Sequence, residues 1–241
     1  MSKPLFVGSR AKLQRAARFV DELETALNEY NQGDPVTGRI DSTKMPPELI
    51  IDYKGLPLEV GAILGDAIHN MRTALDLMAS ELARINGKSD KDIYFPFAAS
   101  IADFPDAIKR KNFQKAGEDA VALLKKFAPY RGGNERLRAI HDIDIEDKHT
   151  AILDTEKKMN IQAQVAYDMS NPEINRVSLN GSTIQHFFAN ESPLKGLPVV
   201  DTLRELLGHV GEILDSFSSM VDLRSSADDD IRTRPESRND G

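Results

Sequence analysis

The stretch from Leu56 to Ile85, LPLEVGAILGDAIHNMRTALDLMASELARI, decides the fold. At 3.6 residues per turn, Val60, Ile63, Leu64, Ala67, Ile68, Met71, Ala74, Leu75, Met78 and Leu82 fall in one arc. One long amphipathic helix follows from that spacing. Gly55 and Pro57 stand at its start and Asn86-Gly87 at its end, where such residues open and close helices. The opposite arc holds Asp66, His69, Asn70, Arg72, Thr73 and Asp76. A solvated helix face is usually filled with Lys and Glu, which are good helix formers. Here no Lys occurs between Gly55 and Gly87, and the only Glu residues are Glu59 and Glu81. Short, directional side chains with mediocre helix propensity need another reason to be there. Hydrogen bonds to a second element would supply it.

A second stretch has the complementary oddity. In LRAIHDIDIEDKHT, Leu137 to Thr150, the residues Leu137, Ile140 and Ile143 define an apolar side, and Asp144 and Asp147 fall in the same arc. Carboxylates on a core-facing side need partners, because an unpaired buried charge costs several kcal/mol. His69, Arg72 and Lys148 are the candidates. The expected arrangement packs the two helices together, with Asp66, His69, Asn70, Arg72 and Asp76 facing Asp144, Asp147, Lys148 and His149 in one polar network.

Outward from these two helices, residues 9 to 31 read as a first helix capped by Ser9, with Leu13, Ala16, Val20, Leu23, Leu27 and Tyr30 on one face. Arg10, Lys12, Arg15 and Arg18 make its first turns basic, as a solvated face does. Residues 34 to 55 hold two short β-branched runs, TGRIDS and ELIIDYKG, read as a loose hairpin. Residues 88 to 100 form a loop whose YFPFAAS segment tucks aromatic rings inward, and short helices follow near 103 to 113 and 117 to 128. Asn134 is a suitable cap for the helix from 134 to 150. From 160 to 190 the pattern turns to strands, and Asn180-Gly181 is the strongest hairpin-turn signal in the chain. A last helix spans 198 to 224, with Leu203, Leu206, Leu207, Val210, Ile213, Leu214, Phe217 and Met220 as its core stripe. Residues 225 to 241 lack apolar periodicity and read as a disordered tail. The fold class is mainly α: a bundle of about four long helices plus short ones, with a small β-hairpin or sheet appendage. Residues 1–224 form a single domain, with β segments at 34–55 and 160–190.

The 241 residues carry a net charge of -7, which argues against broad binding to nucleic acid or anionic membranes. There is no cysteine, so disulfides, thiolate chemistry and Cys-ligated zinc are excluded. Arg10, Lys12, Arg15 and Arg18 interrupt any signal-peptide core, and no segment is apolar enough to span a bilayer. The expected address is the cytoplasm. No P-loop, dinucleotide fingerprint, nucleophile elbow or HExxH sequence occurs, and no cofactor is implied.

Two blocks carry a resemblance. GDAIHNMRTALD (65–76) resembles the motif GDxIHNLRSALDHL, and LRAIHDIDIEDKHT resembles LHxLDNIDKHR, in which two His residues are also eight apart, as His141 and His149 are. Both motifs mark a family of helical proteins from bacteria and phages that has no assigned activity. The chain departs from the pattern at Leu77, Glu146 and Thr150, where the family has His, Ile and a closing Arg. The resemblance therefore locates a site without naming a reaction.

Three readings of that site stand. In the first, the polar residues are a buried network that fixes helix packing, and the protein is a non-enzymatic binding or regulatory module. In the second, the chain resembles the HEPN superfamily, metal-independent ribonucleases of toxin and phage-defence systems that are helical bundles and usually work as dimers. That resemblance implies an RNA partner and a homodimer. A His would move the proton of a ribose hydroxyl and an Arg would stabilise the phosphorane. His141, His69, Arg72 and Arg136 are the candidate catalytic residues, and Arg136 and His141 have the required spacing. With 16 Arg and 5 His in the chain, such a pairing arises by chance, and Arg204 and His209 match it equally. In the third, Asp66-x-x-His69 and His141-x-x-Asp144 ligate a metal, although Arg72 and Lys148 beside them oppose a divalent ion.

Overall fold

The computed structural model of the protein describes residues 4–149, 155–166, 168, 170, 171 and 175–233, the side chains of 147–149, 161, 180–183, 225 and 227–233 excepted. It is mainly helical, with 56% of residues in helix and 17% in small antiparallel sheets. The order is α1 (Val7–Gln32), β1 (Val36–Asp41), β2 (Glu48–Tyr53), α2 (Leu58–Ile85), α3 (Phe104–Arg110), a 3-10 turn (Phe113–Ala116), α4 (Glu118–Phe127), α5 (Glu135–His149), β3 (Thr155–Ala166), β4 (Arg176–Phe188) and α6 (Val199–Thr233). No helix among the described residues is long and apolar enough to cross a membrane.

The backbone forms two compact units. The first collects the described residues up to Ala17, Ile68–Asp144 and those from Glu205 onward; the second is Arg18–Ala67 with Ile145–Arg204. In the first unit, Ile68, Met71, Ala74, Leu75, Met78 and Leu82 of α2 are fully buried, as are Leu137, Ile140 and Ile143 of α5 and Val210, Leu214 and Phe217 of α6. Phe95, Phe97 and Phe113 pack into the same core, so the YFPFAAS segment does bury its rings; Tyr94 alone stays half-exposed. In the second unit the core is Val20, Leu23 and Leu27 of α1, Val60 and Leu64 of α2, Ile184 and Phe188 of β4, and Val199 and Leu203 of α6.

Local chemistry explains most element ends. α2 closes in a Schellman motif: the Lys88 N–H donates to the Ala83 carbonyl at 2.8 Å and Gly87 N–H to Arg84 at 3.0 Å, with Gly87 at φ +66°. Asn134 caps α5 through its Oδ1, which accepts from Leu137 N–H at 3.0 Å. Ser9 is not the cap of α1. The helix starts earlier, where Phe6 turns the chain at φ 57° and its carbonyl accepts from Arg10 N–H at 2.8 Å. Ser9 instead lies inside the helix, fully buried, its hydroxyl without a partner among the described residues.

The strands show two further differences. β1 and β2 pair antiparallel, Val36 opposite Tyr53, as the loose hairpin required. Asn180-Gly181, however, does not turn the chain. β4 runs straight through it and pairs antiparallel with β3, Thr155 opposite Phe188 and Ala166 opposite Arg176. The register shifts there: Ile161 faces Ser182 but Ala163 faces Leu179, so Asn180 and Gly181 together oppose Gln162. That is a β-bulge, the other structure a glycine inside a strand favours. α6 continues past residue 224 to Thr233, since neither Gly nor Pro stands between Gly211 and Pro235 to stop it. The remainder of the expected tail lies outside the described residues.

Candidate functional site

The candidate residues do not form one polar face on α2. Asp66 is exposed and belongs to the second unit. Asn70 and Arg72 are buried in the first, and His69 is partly exposed.

Arg72 lies at the centre of the first unit. Its side chain is 8% exposed. Nη1 donates to Asp76 Oδ1 one turn on, at 2.8 Å, and Nη2 donates to the Phe95 carbonyl at 3.1 Å. The Phe95 N–H returns to the same Asp76 Oδ1 at 2.8 Å. Arginine, aspartate and the backbone N–H and C=O of one residue thus close a ring of hydrogen bonds that holds the 93–97 segment on α2. Burial works against both charges, lowering the pKa of Arg72 and raising that of Asp76, while each partner opposes the other's neutralisation. A guanidinium does not lose its proton in proteins, so the pair stays ionic. The guanidinium carbon also lies 4.6 Å from the centre of the Phe97 ring, a cation–π contact.

Phe97 links this ring to α5. The His141 ring stacks on it, centroids 5.0 Å apart and planes within 2°. His141 Nδ1 is buried with no partner among the described residues. Burial first, then the charges of Arg72 and Arg138, with a smaller contribution from Lys111, bring its pKa down from 6.5 to about 4, while Asp142 pulls the other way. His141 is therefore neutral near pH 7. Asp142 is held by Arg138 at 2.6 Å and by Arg131 at 3.2 Å.

The remaining pair is His69 and Asp144. His69 Nδ1 donates to Asp144 Oδ1 at 2.9 Å; the His side chain is 43% exposed and the Asp side chain 7%. A carboxylate only accepts, so Nδ1 carries the proton. Nε2 lies 3.4 Å from the Thr73 hydroxyl. Lys12 of α1 donates to Asn70 Oδ1 at 3.3 Å.

The structure thus brings His69 to Asp144 and sets both Arg72 and His141 against the Phe97 ring. It does not bring Arg136 into this group: Arg136 forms an ion pair with Glu205 of α6. The equivalent spacing in α6 fares no better, since Arg204 pairs with Glu24 at 2.6 Å in the second unit while His209 belongs to the first. Among the described residues no three His, Asp or Glu side chains gather to hold a metal, so the third reading has no site to stand on there. Asp147, Lys148 and His149 lie outside the described side chains.

Sequence reasoning passed over Phe97, Arg138 and Asp142. The i, i+4 spacing of Arg138 and Asp142 was a legible signal. Phe97 was not, because only the tertiary fold lays its ring against His141. Set against known proteins, the chain matches no family model, no curated protein and no solved structure, and its function rests on this geometry.

Proposed function

We propose that the protein is a non-enzymatic binding or regulatory module, and that its Asp, His and Arg side chains form a packing network. The supporting observation is the closed Arg72–Asp76–Phe95 ring, in which these groups are spent on one another and on the backbone. A residue kept for chemistry would have a free donor or acceptor facing solvent. The reading goes with a bundle built on α1, α2, α5 and α6 and with a cytoplasmic address, for which the absence of cysteine is the support. It is tested by Asp76→Asn. Removing one partner of a buried pair costs about 3–5 kcal/mol, so urea denaturation should show a large fall in stability. An unchanged midpoint would contradict the network.

One observation favours the second reading, a metal-independent ribonuclease resembling the HEPN superfamily. A half-exposed His69 backed by a buried Asp144 has the arrangement of a general base, with the carboxylate fixing the tautomer that leaves the Nε2 lone pair, 3.4 Å from the Thr73 hydroxyl, to take a proton. His69, rather than Arg136 with His141, would then be the centre. A metal-free RNA cleavage assay decides this: activity lost in His69→Ala supports it, and equal rates in wild type, His69→Ala and His141→Ala remove it.

A further inference from the structure

The second unit contains a cavity of ≈ 320 Å³, unrelated to the network of the first. Its volume lies at the low end of small-molecule pockets, about 300–1,000 Å³. The C-terminal half of α1, strand β4 and the first turn of α6 line it. Leu27, Ile184 and Val199 give it an apolar wall.

Its polar lining follows from one buried histidine. His186 is 8% exposed. Asn31 Nδ2 donates to the Ile184 carbonyl at 3.3 Å, which turns Asn31 Oδ1 toward His186 Nε2, 3.1 Å away. An amide oxygen only accepts, so Nε2 carries the proton and Nδ1 is left as a lone pair. Nδ1 has no donor among the described residues. Burial and Lys157 both lower the pKa of His186, which keeps the ring neutral. His186 is thus an acceptor whose own donor is already used.

The charges lining the cavity are of one sign. Two carboxylates line it, Glu24 and Asp201, and neither Lys nor Arg does. Glu24 is engaged by Arg204, at 2.6 Å and 3.2 Å. Asp201 forms no ion pair among the described residues and is exposed at the first turn of α6. An anion entering this space would meet the Asp201 carboxylate, whose neighbouring cation, Arg204, is already bonded to Glu24. A purely apolar molecule would leave Asp201 and the amides of Asn28 and Gln185 without partners.

We propose that this cavity binds a small organic cation, an ammonium group on an apolar body, with Asp201 as its counter-ion. The ammonium N–H groups donate to the carboxylate and to the amide oxygens, while the body packs on Leu27, Ile184 and Val199. A charge-assisted hydrogen bond of this kind is stronger than a neutral one and orients the ligand.

The test titrates the full chain with 2-phenylethylammonium and, as an anion of similar size and shape, phenylacetate, each followed by calorimetry. The ammonium should saturate a single site, and phenylacetate should bind at least roughly tenfold more weakly. Asp201→Asn should weaken the ammonium by a factor of about ten or more. Because Asp201 is exposed, thermal melting of that variant should match wild type, which separates lost binding from lost fold. Glu118→Gln, a carboxylate elsewhere on the surface, should bind as wild type does. The proposal is overturned if the ammonium does not saturate, if the two ions bind alike, or if Asp201→Asn binds the ammonium as tightly as wild type.

Discussion

His141 shows how a single residue changes meaning once its surroundings are known. As a sequence position it is a candidate acid–base group. In the fold it is stacked on Phe97 and held neutral by burial and by Arg72 and Arg138. Its folded pKa of about 4 lies below the ordinary 6.5, so the unfolded chain binds the proton first. Its contribution to stability is full above pH 6.5 and is lost as pH falls from 6.5 toward 4. Replacing His141 with Phe should flatten the pH dependence of the denaturation midpoint in that window, measured against wild type at pH 7, 5.5 and 4.5. A dependence as steep as in wild type would show that other groups carry it. Arg72 makes the same point from the opposite direction. On the helical wheel it sat opposite the apolar arc, yet it is buried beside Phe97 with both arms occupied. Arg72→Met should be less damaging than Asp76→Asn, because it removes the buried cation rather than leaving it unpaired. Chemical denaturation of the two variants compares them directly.

At the scale of the element, two glycines carry testable roles of different kinds. Gly87 ends α2 with a left-handed backbone at φ +66° and open space around it, so a side chain there pays only for the conformation. Gly87→Ala should cost about 1 kcal/mol by thermal denaturation. Gly38 in β1 is a matter of contact. A Cβ there would lie 2.7 Å from Val177 Cγ1 and 3.3 Å from Leu179 Cδ2, because β1 lies against β4 at this point. Gly38→Ala should destabilise by about 1–3 kcal/mol, and Val177→Ala in the same chain should recover part of that loss. Additive losses in the double variant would mean that the two strands do not press together there. The Asn180-Gly181 bulge belongs to this scale too. The dipeptide signals a break in regular pairing, but whether the break is a turn or a bulge depends on β3, whose partner residues lie far away in the chain.

Over the whole molecule, charge is the property that travels furthest. The net charge is -7, and two of the four basic residues that open α1 are already engaged: Arg10 pairs with Asp215 at 2.8 Å and Lys12 bonds to Asn70. Non-specific binding to a random single-stranded RNA at physiological salt should therefore be weaker than about 10⁻⁴ M by fluorescence anisotropy. Tighter, salt-sensitive binding would expose a basic surface that the present pairing hides and would strengthen the nucleolytic reading.

Periodicity and punctuation were enough to mark the long helices, the short strands and the mainly helical class, because burial of an apolar stripe and the chemistry of caps are local to the sequence. The same logic found α2 and α5 and singled out His69, Arg72, Asp76 and Asp144 as side chains too directional for solvent. It could not say which would meet. His69 and Asp144 are 75 positions apart, and Arg72 reaches the Phe95 carbonyl across 23. No local signal encodes such distances. Ser9, a cap by residue type, became a buried core position because Phe6 begins the helix earlier. His186 and Asn31 are 155 positions apart and share no motif. Their cavity exists only because hydrophobic burial, which is indifferent to order along the chain, packs α1, β4 and the start of α6 together and turns an ordinary strand histidine into an acceptor with a fixed tautomer.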